Sequence, residues 1–135
     1  MKIGVTGTRS GMTEEQHEEV AILLRSIIDE WPSAEFHHGD CVGVDVETAR
    51  LAKAMGYKVV CHPPEKDDLR AMHGSDEFRK PLSYFARNRA IVDETEVLLV
   101  IPQQDLWQPS GGTWYTHDYG VKKGTKVVTI WPTRI

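Results

Sequence analysis

Cysteine is scarce: only Cys41 and Cys61 are present, and neither belongs to a closely spaced pair or a zinc-type cluster. A disulfide framework is thereby excluded, and reduced thiols in a cytoplasmic protein are expected. Long apolar runs are absent, since none approaches the roughly 20 residues a membrane helix needs. Met1-Lys2 leads straight into Ile3-Gly4-Val5, without a charged leader and apolar region, so no signal peptide and no membrane partner are expected. Basic residues are outnumbered, 16 Lys and Arg against 20 Asp and Glu for a formal net charge of -4. That balance argues against a nucleic-acid polymer or an anionic membrane held by bulk electrostatics, and favours a small phosphorylated ligand. No serine or cysteine sits in a nucleophile elbow, which leaves covalent hydrolase chemistry without support. His37-His38, His62 and His117 are not spaced as a metal cluster, and successive strand residues point to opposite faces, so no metal and no cofactor are expected. Repeats, low-complexity segments and linkers are also missing, and residues 1–135 read as one domain.

What is present is an alternation of strand and helix patterns from end to end, the order that builds a parallel sheet covered on both faces. The expected fold is α/β, a Rossmann-like three-layer sandwich. A first strand covers about Met1 to Thr6. Thr13 and Gln16 form a capping box, opening a helix with the buried stripe Val20, Leu23, Leu24, Ile27, Ile28 and Trp31, and Pro32 stops it. A strand from Ala34 to His37, a helix from about Val44 to Met55 closed by Gly56, and a strand from Tyr57 to Cys61 follow. From His62 to about Leu82 the chain is charged and broken by prolines, with the pattern of a short helix over Glu65 to Met72. A connection of that length is either a lid or binding loop, or a surface excursion. Ser83 starts a helix to about Asp93, Val97 to Ile101 reads as a buried strand, and Thr113 to Lys123 and Lys126 to Ile130 give the last helix and strand.

Ligands of parallel sheets sit outside the carboxyl ends of the strands, and four polar clusters fall at such places. In the first, Gly7 lets the backbone approach a ligand, Thr8 and Ser10 add hydroxyls and Arg9 supplies a charged, forked donor; a turn needing positive φ selects the same glycine. In the second, Gly39 precedes Asp40, which is placed to accept hydrogen bonds from ribose hydroxyls. Asp45 falls in the first turn of the next helix, where it either meets a ligand or complements the helix dipole. In the third, Arg87 and Asn88 interrupt a helix stripe that should be buried. Polar groups there need partners, so they either bond backbone at the sheet's end or line a pocket. The fourth is Gly111-Gly112-Thr113 with Thr116, where two glycines entering a helix make a phosphate site of its free N–H groups. Trp107 and Trp114 flank this loop, as base-stacking platforms or packing anchors.

Taken in order, Gly4-Val5-Thr6-Gly7-Thr8-Arg9, His38-Gly39-Asp40-Cys41-Val42-Gly43-Val44-Asp45, Arg87-Asn88-Arg89-Ala90-Ile91-Val92 and Gly111-Gly112-Thr113 with Thr116 resemble the SLOG superfamily of Rossmann-like nucleotide-binding proteins. That superfamily includes the LOG-type phosphoribohydrolases and the YpsA-like proteins, and the likeness is greatest to the small stand-alone YpsA-related branch called YAcAr. It implies a five-stranded parallel sheet with the first and fourth strands adjacent, so that the loops carrying Arg9 and Gly112 face one crevice. It further implies a small nucleotide-like ligand, a sensing or sequestering role, and a homodimer or higher homo-oligomer. LOG-type enzymes carry a PGGxGTxxE motif whose glutamate, with an arginine from the preceding helix, cleaves base from ribose 5'-monophosphate. Arg87 matches the arginine, but Thr116 stands where the glutamate would, and a hydroxyl cannot replace a carboxylate in activating water. Asp40 or Asp118 would have to supply one. The resemblance therefore implies binding first, with nucleotide N-glycosidase (phosphoribohydrolase) activity as the alternative and a protein-interaction domain as a third possibility.

Overall fold

The apolar run Val97–Ile101 is the interior strand β5, and its alternating side chains define the layers of the fold. The computed structural model describes residues 1–133. With β5 stand β1 (Lys2–Gly7), β2 (Glu35–His38), β3 (Lys58–Cys61), β4 (Glu77–Phe78) and β6 (Lys126–Thr129). They form one sheet in the order β4-β3-β2-β1-β5-β6, with every neighbouring pair parallel. The helices are α1 (Glu14–Glu30), α2 (Val44–Met55), α3 (Tyr84–Asp93) and α4 (Gly112–Lys123). Leu99 and Ile101 join Ile3, Val5 and Phe36 in one core with Val20 and Leu24 of α1 and Ala49 and Ala52 of α2. Leu98 and Val100 face the opposite way, onto Ile91 and Val92 of α3 and Trp114 of α4. Period-2 alternation along the strands thus produces a helix layer on each face, the Rossmann-like sandwich.

Local signals explain most boundaries. Thr13 caps α1 and Gln16 closes the capping box, while Gly56 ends α2 in the left-handed conformation. Trp31 departs from the expected stripe: it lies beyond the last helical residue as the C-cap of α1 and is 39% exposed. The buried face gains Gln16 instead, whose Nε2 donates to Pro102 O at 2.8 Å and Ile130 O at 2.9 Å. Those bonds let a polar residue sit in the core.

The sheet has six strands, not the five expected. The extra strand β4 lies inside the charged connection, pairing Val60 with Glu77 and Cys61 with Phe78. Two residues are too few to show a period in sequence. The pairing is held by an ion pair from Lys58 to Glu77 and by Asp76 Oδ2 accepting from Val59 N at 2.8 Å. Residues 65–72 do not form the expected helix; the segment runs through turns to a bridge between Cys41 and Arg70. Strand β1 lies between β2 and β5, so the chain reverses its direction of travel across the sheet there, and a crevice opens at the carboxyl end of β1. No helix among the described residues is long and apolar enough to cross a membrane.

Candidate functional site

Two loops meet over that crevice. Thr8 N donates to Ile101 O at 3.1 Å, tying the loop after β1 to the end of β5. Thr8 O accepts from Gly11 N and from Val44 N, the first residue of α2, so this loop also occupies the N-terminus of α2. Gly7, Thr8, Arg9 and Ser10 form one wall, and Ser110 to Trp114 form the other, around a cavity of about 430 Å³. Whereas Thr13 caps α1, no side chain caps α4, leaving the unpaired N–H groups of its first turn at the cavity wall. The two glycines also have reasons of their own. Gly111 adopts φ 101, a conformation side chains disfavour, and a Cβ on Gly112 would stand 2.5 Å from Tyr84 Oη.

Tyr84, the first residue of α3, connects this crevice to its neighbour. The Arg9 guanidinium lies 5.7 Å and the Arg87 guanidinium 5.1 Å from its ring centre, both within cation–π range. On its far side is a cavity of about 540 Å³ bordered by Cys41, Leu69, Ser83, Phe85 and Arg87. The three-residue spacing of Tyr84 from Arg87 sets both on one face of α3, but nothing in the sequence marks Tyr84 as the residue between two cavities. Phe85, the next residue, is 49% exposed.

Arg87 is 2% exposed. Its Nε donates to Asn88 Oδ1 at 2.7 Å, and one terminal nitrogen donates to Gly39 O and to His62 O. Among the described residues the other terminal nitrogen has only Cys41 Sγ, at 3.5 Å, a weak acceptor. Arg87 therefore fulfils both sequence alternatives: half its fork ties backbone carbonyls at the sheet's end, and the other half faces the cavity. Asp45 lies beside it in a small cleft, where its Oδ2 accepts from Gly39 N at 3.1 Å and Cys41 N at 3.2 Å. Burial pushes the Asp45 carboxyl pKa up, against the opposing pull of Arg87 and the two N–H groups. Burial likewise raises the Cys41 thiol, with Asp45 adding to the effect and Arg87 opposing it.

Two expected ligand contacts need correction. Asp40 is fully buried at φ 57, and its oxygens accept from Arg70 Nε and His73 N, each at 2.9 Å. Its carboxylate is spent on anchoring residues 70–73 and does not face a ribose. Thr116 is 1% exposed and its hydroxyl donates to Gly112 O at 2.8 Å, a back-bond inside α4 that keeps it away from the cavity. Asp118 bonds Trp107 Nε1 and His117 Nδ1 at the surface, and Trp114 is 3% exposed as a packing anchor. The histidines also defy their spacing in sequence: the fold brings His37 Nδ1 within 2.8 Å of His62 Nε2.

No family model matches the sequence, and no curated protein matches it. Solved structures do share the fold. DNA processing protein A from Helicobacter pylori, described for its single-stranded DNA binding mode, superposes with a TM-score of 0.71 at 19% identity, covering 100% of this chain and 66% of its own. The molybdenum cofactor binding protein from Rippkaea orientalis gives 0.70 at 20% identity over 98% of this chain and 77% of its own. The molybdenum cofactor carrier protein from Chlamydomonas reinhardtii gives 0.67 at 21% identity over 95% of this chain and 74% of its own. These likenesses show the fold. They also correct the exclusion of a nucleic-acid polymer drawn from net charge: a protein of this architecture binds a single strand, and a whole-chain charge of -4 does not report the field inside one crevice.

Proposed function

We propose that this chain is a SLOG-type protein, akin to the small YpsA-related branch, that binds a nucleotide or nucleotide-derived phosphorylated ligand at the carboxyl ends of β1 and β5. The observation that carries this reading is the uncapped N-terminus of α4 opposite exposed Arg9 across a cavity of about 430 Å³. A phosphate there takes the N–H groups of Gly112 and Thr113 on one side and a guanidinium on the other, in the field of the helix dipole. The adjoining cavity, with Leu69 and Phe85 on its border, suits a base, and Tyr84 stands between the two. A nucleotide is also the repeating unit of the strand bound by DNA processing protein A. Calorimetric titration with nucleoside monophosphates, ADP-ribose, cyclic nucleotides and a single-stranded oligonucleotide tests the reading. Saturable binding that weakens when phosphate is removed, and again in Arg9→Ala, supports it. Failure of every nucleotide to bind, or nucleosides binding as tightly as their phosphates, overturns it.

A second reading, cleavage of the base from a nucleotide, is favoured by one contact set. Asp45 is the buried carboxylate that shares a cleft with Arg87, and its raised pKa suits a general acid. Release of free base by the wild type and its loss in Asp45→Asn would establish that activity; no release from any bound nucleotide would eliminate it.

A further inference from the structure

Away from the crevice, at the edge where β2, β3 and the end of α3 meet, two histidines that are distant in sequence come together with a carboxylate. His37 and His62 are 0% and 2% exposed. His37 Nδ1 lies 2.8 Å from His62 Nε2, and His62 Nδ1 lies 3.7 Å from Glu94 Oε2. Glu35 Oε1 is 2.9 Å from His37 Nε2, and Arg79 Nε is 2.9 Å from Glu94 Oε1.

We propose that His37, His62 and Glu94 bind a divalent transition-metal ion of the zinc class, with Glu35 and Arg79 as positioning residues.

A carboxylate only accepts, so Glu35 fixes a proton on His37 Nε2 and leaves Nδ1 as a lone pair. For the 2.8 Å contact to be a hydrogen bond, His62 Nε2 donates to that lone pair. The neutral His62 ring then presents a second lone pair at Nδ1, facing the Glu94 oxygen 3.7 Å away. No proton lies between these two electron-rich atoms, and the gap is too long for a hydrogen bond. It is a suitable separation for two ligands of one ion, which stand about 3.4 Å apart around a tetrahedral zinc. One donor atom from each of the three residues lies within 4.8 Å of the others, and the set closes when the His62 ring turns, so that His37 Nδ1 gives up its hydrogen bond to His62 Nε2 for the metal.

The surroundings fit the same ion. Two histidines and a glutamate form a zinc donor set that leaves one position open. The Glu35–His37 contact is the carboxylate–imidazole pair that orients metal-bound histidines. Arg79 occupies only Oε1 of Glu94, holding Oε2 toward His62. Glu35 pairs with His37, and Glu77 and Glu94 pair with Lys58 and Arg79, around the two rings. Glu94 is 34% exposed, which gives the ion an entry path. A second trio, His38, Asp40 and Cys61, is as compact, but its donors are committed. His38 bonds Asp40 N and Ser75 Oγ, and Asp40 bonds Arg70 and His73. The ion in the first trio acts as a clip across β2, β3 and α3, and steadies the His62 carbonyl that receives Arg87.

Titration of the chelator-treated full chain with Co²⁺ and Zn²⁺ tests the site without reference to the nucleotide. The expected result is one equivalent of cobalt with tetrahedral visible absorption, displaced by zinc, and a zinc-dependent rise in Tm. Glu94→Gln, a partly exposed isosteric change checked for folding by circular dichroism, and His62→Gln abolish the cobalt spectrum. Glu35→Gln weakens binding about 10- to 100-fold, and His117→Ala leaves it unchanged. Absence of a cobalt spectrum, its persistence in Glu94→Gln, or a thiolate-to-cobalt charge-transfer band implicating Cys41 or Cys61 would overturn the assignment.

Discussion

The Tyr84 ring lies so close to Gly112 that a Cβ on residue 112 would stand 2.5 Å from Tyr84 Oη and 2.9 Å from its Cε1. The start of α3 is thus fitted to the start of α4, and the crevice depends on the fit. Gly112→Ala should therefore displace the ring and destabilise the fold by about 1–3 kcal/mol, the usual cost of overpacking, measured by urea denaturation. In a Tyr84→Ala background the same change should become neutral or stabilising, because alanine favours a helix over glycine by up to about 1 kcal/mol. Equal costs in both backgrounds would show that the ring is not the obstacle.

Arg87 satisfies the carbonyls of Gly39 and His62 from within the core. Arg87→Met keeps apolar volume but leaves both acceptors bare, at about 1–3 kcal/mol for each. Chemical denaturation should show a loss of several kcal/mol, and Arg87→Lys should recover only part of it, since an ammonium lacks the planar fork. A variant as stable as the wild type would mean that water replaces the guanidinium at no cost.

The pairing of Asp40 with Arg70 makes a different prediction. Asp40 is fully buried and Arg70 is 19% exposed, so Arg70→Met strands a carboxylate inside the protein. The expected loss is about 3–5 kcal/mol, and Asp40→Asn/Arg70→Met should regain much of it by removing the stranded charge. Thermal melts of the two variants check this; a single variant no less stable than the double would contradict it.

Acid should loosen β4 through Glu77. Hydrogen bonds from Lys58 and Arg79 hold its pKa down to about 2, against an ordinary 4.5. Because the folded pKa is lowered, its contribution is present above pH 4.5 and is lost as pH falls from there toward 2. Glu35 and Glu94 are the other carboxylates facing these cations, so Glu77→Gln is the proper reference. Hydrogen exchange at Arg79 N, which donates to Cys61 O at 2.8 Å, should lose protection across that window in the wild type, beyond the intrinsic change of rate. The glutamine variant should lack this component. Identical profiles would remove Glu77 from the explanation.

The fold was legible where a signal was local and repeated. The Thr13–Gln16 capping box, the Gly56 stop and the apolar runs of β3 and β5 each named their element. Strand β4 was hidden because two paired residues carry no period and the ion pairs that hold it come from Lys58 and Arg79. The site was partly legible by another route, the family resemblance. Arg9 and Gly112 were expected to face one crevice and do so, since adjacency of β1 and β5 decides that. Asp40 was misread because its partners Arg70 and His73 arrive from a segment with no regular pattern, and a buried ion pair leaves no mark in the residues beside it. The His37–His62 contact is invisible for a related reason: the parallel pairing of β2 with β3 sets His37 opposite Val60 and so brings it beside His62, just past the end of β3, which spacing along the chain does not show.

In the proposed function, phosphate sits on the first turn of α4 opposite Arg9. The most direct test is amide chemical-shift mapping during titration with a nucleoside monophosphate and, separately, with the matching nucleoside. The monophosphate should produce its largest shifts at Gly112, Thr113 and Trp114 and at Thr8 to Ser10, and the nucleoside should leave the α4 amides unmoved. Shifts confined to other surfaces, or equal α4 shifts with and without phosphate, would contradict it.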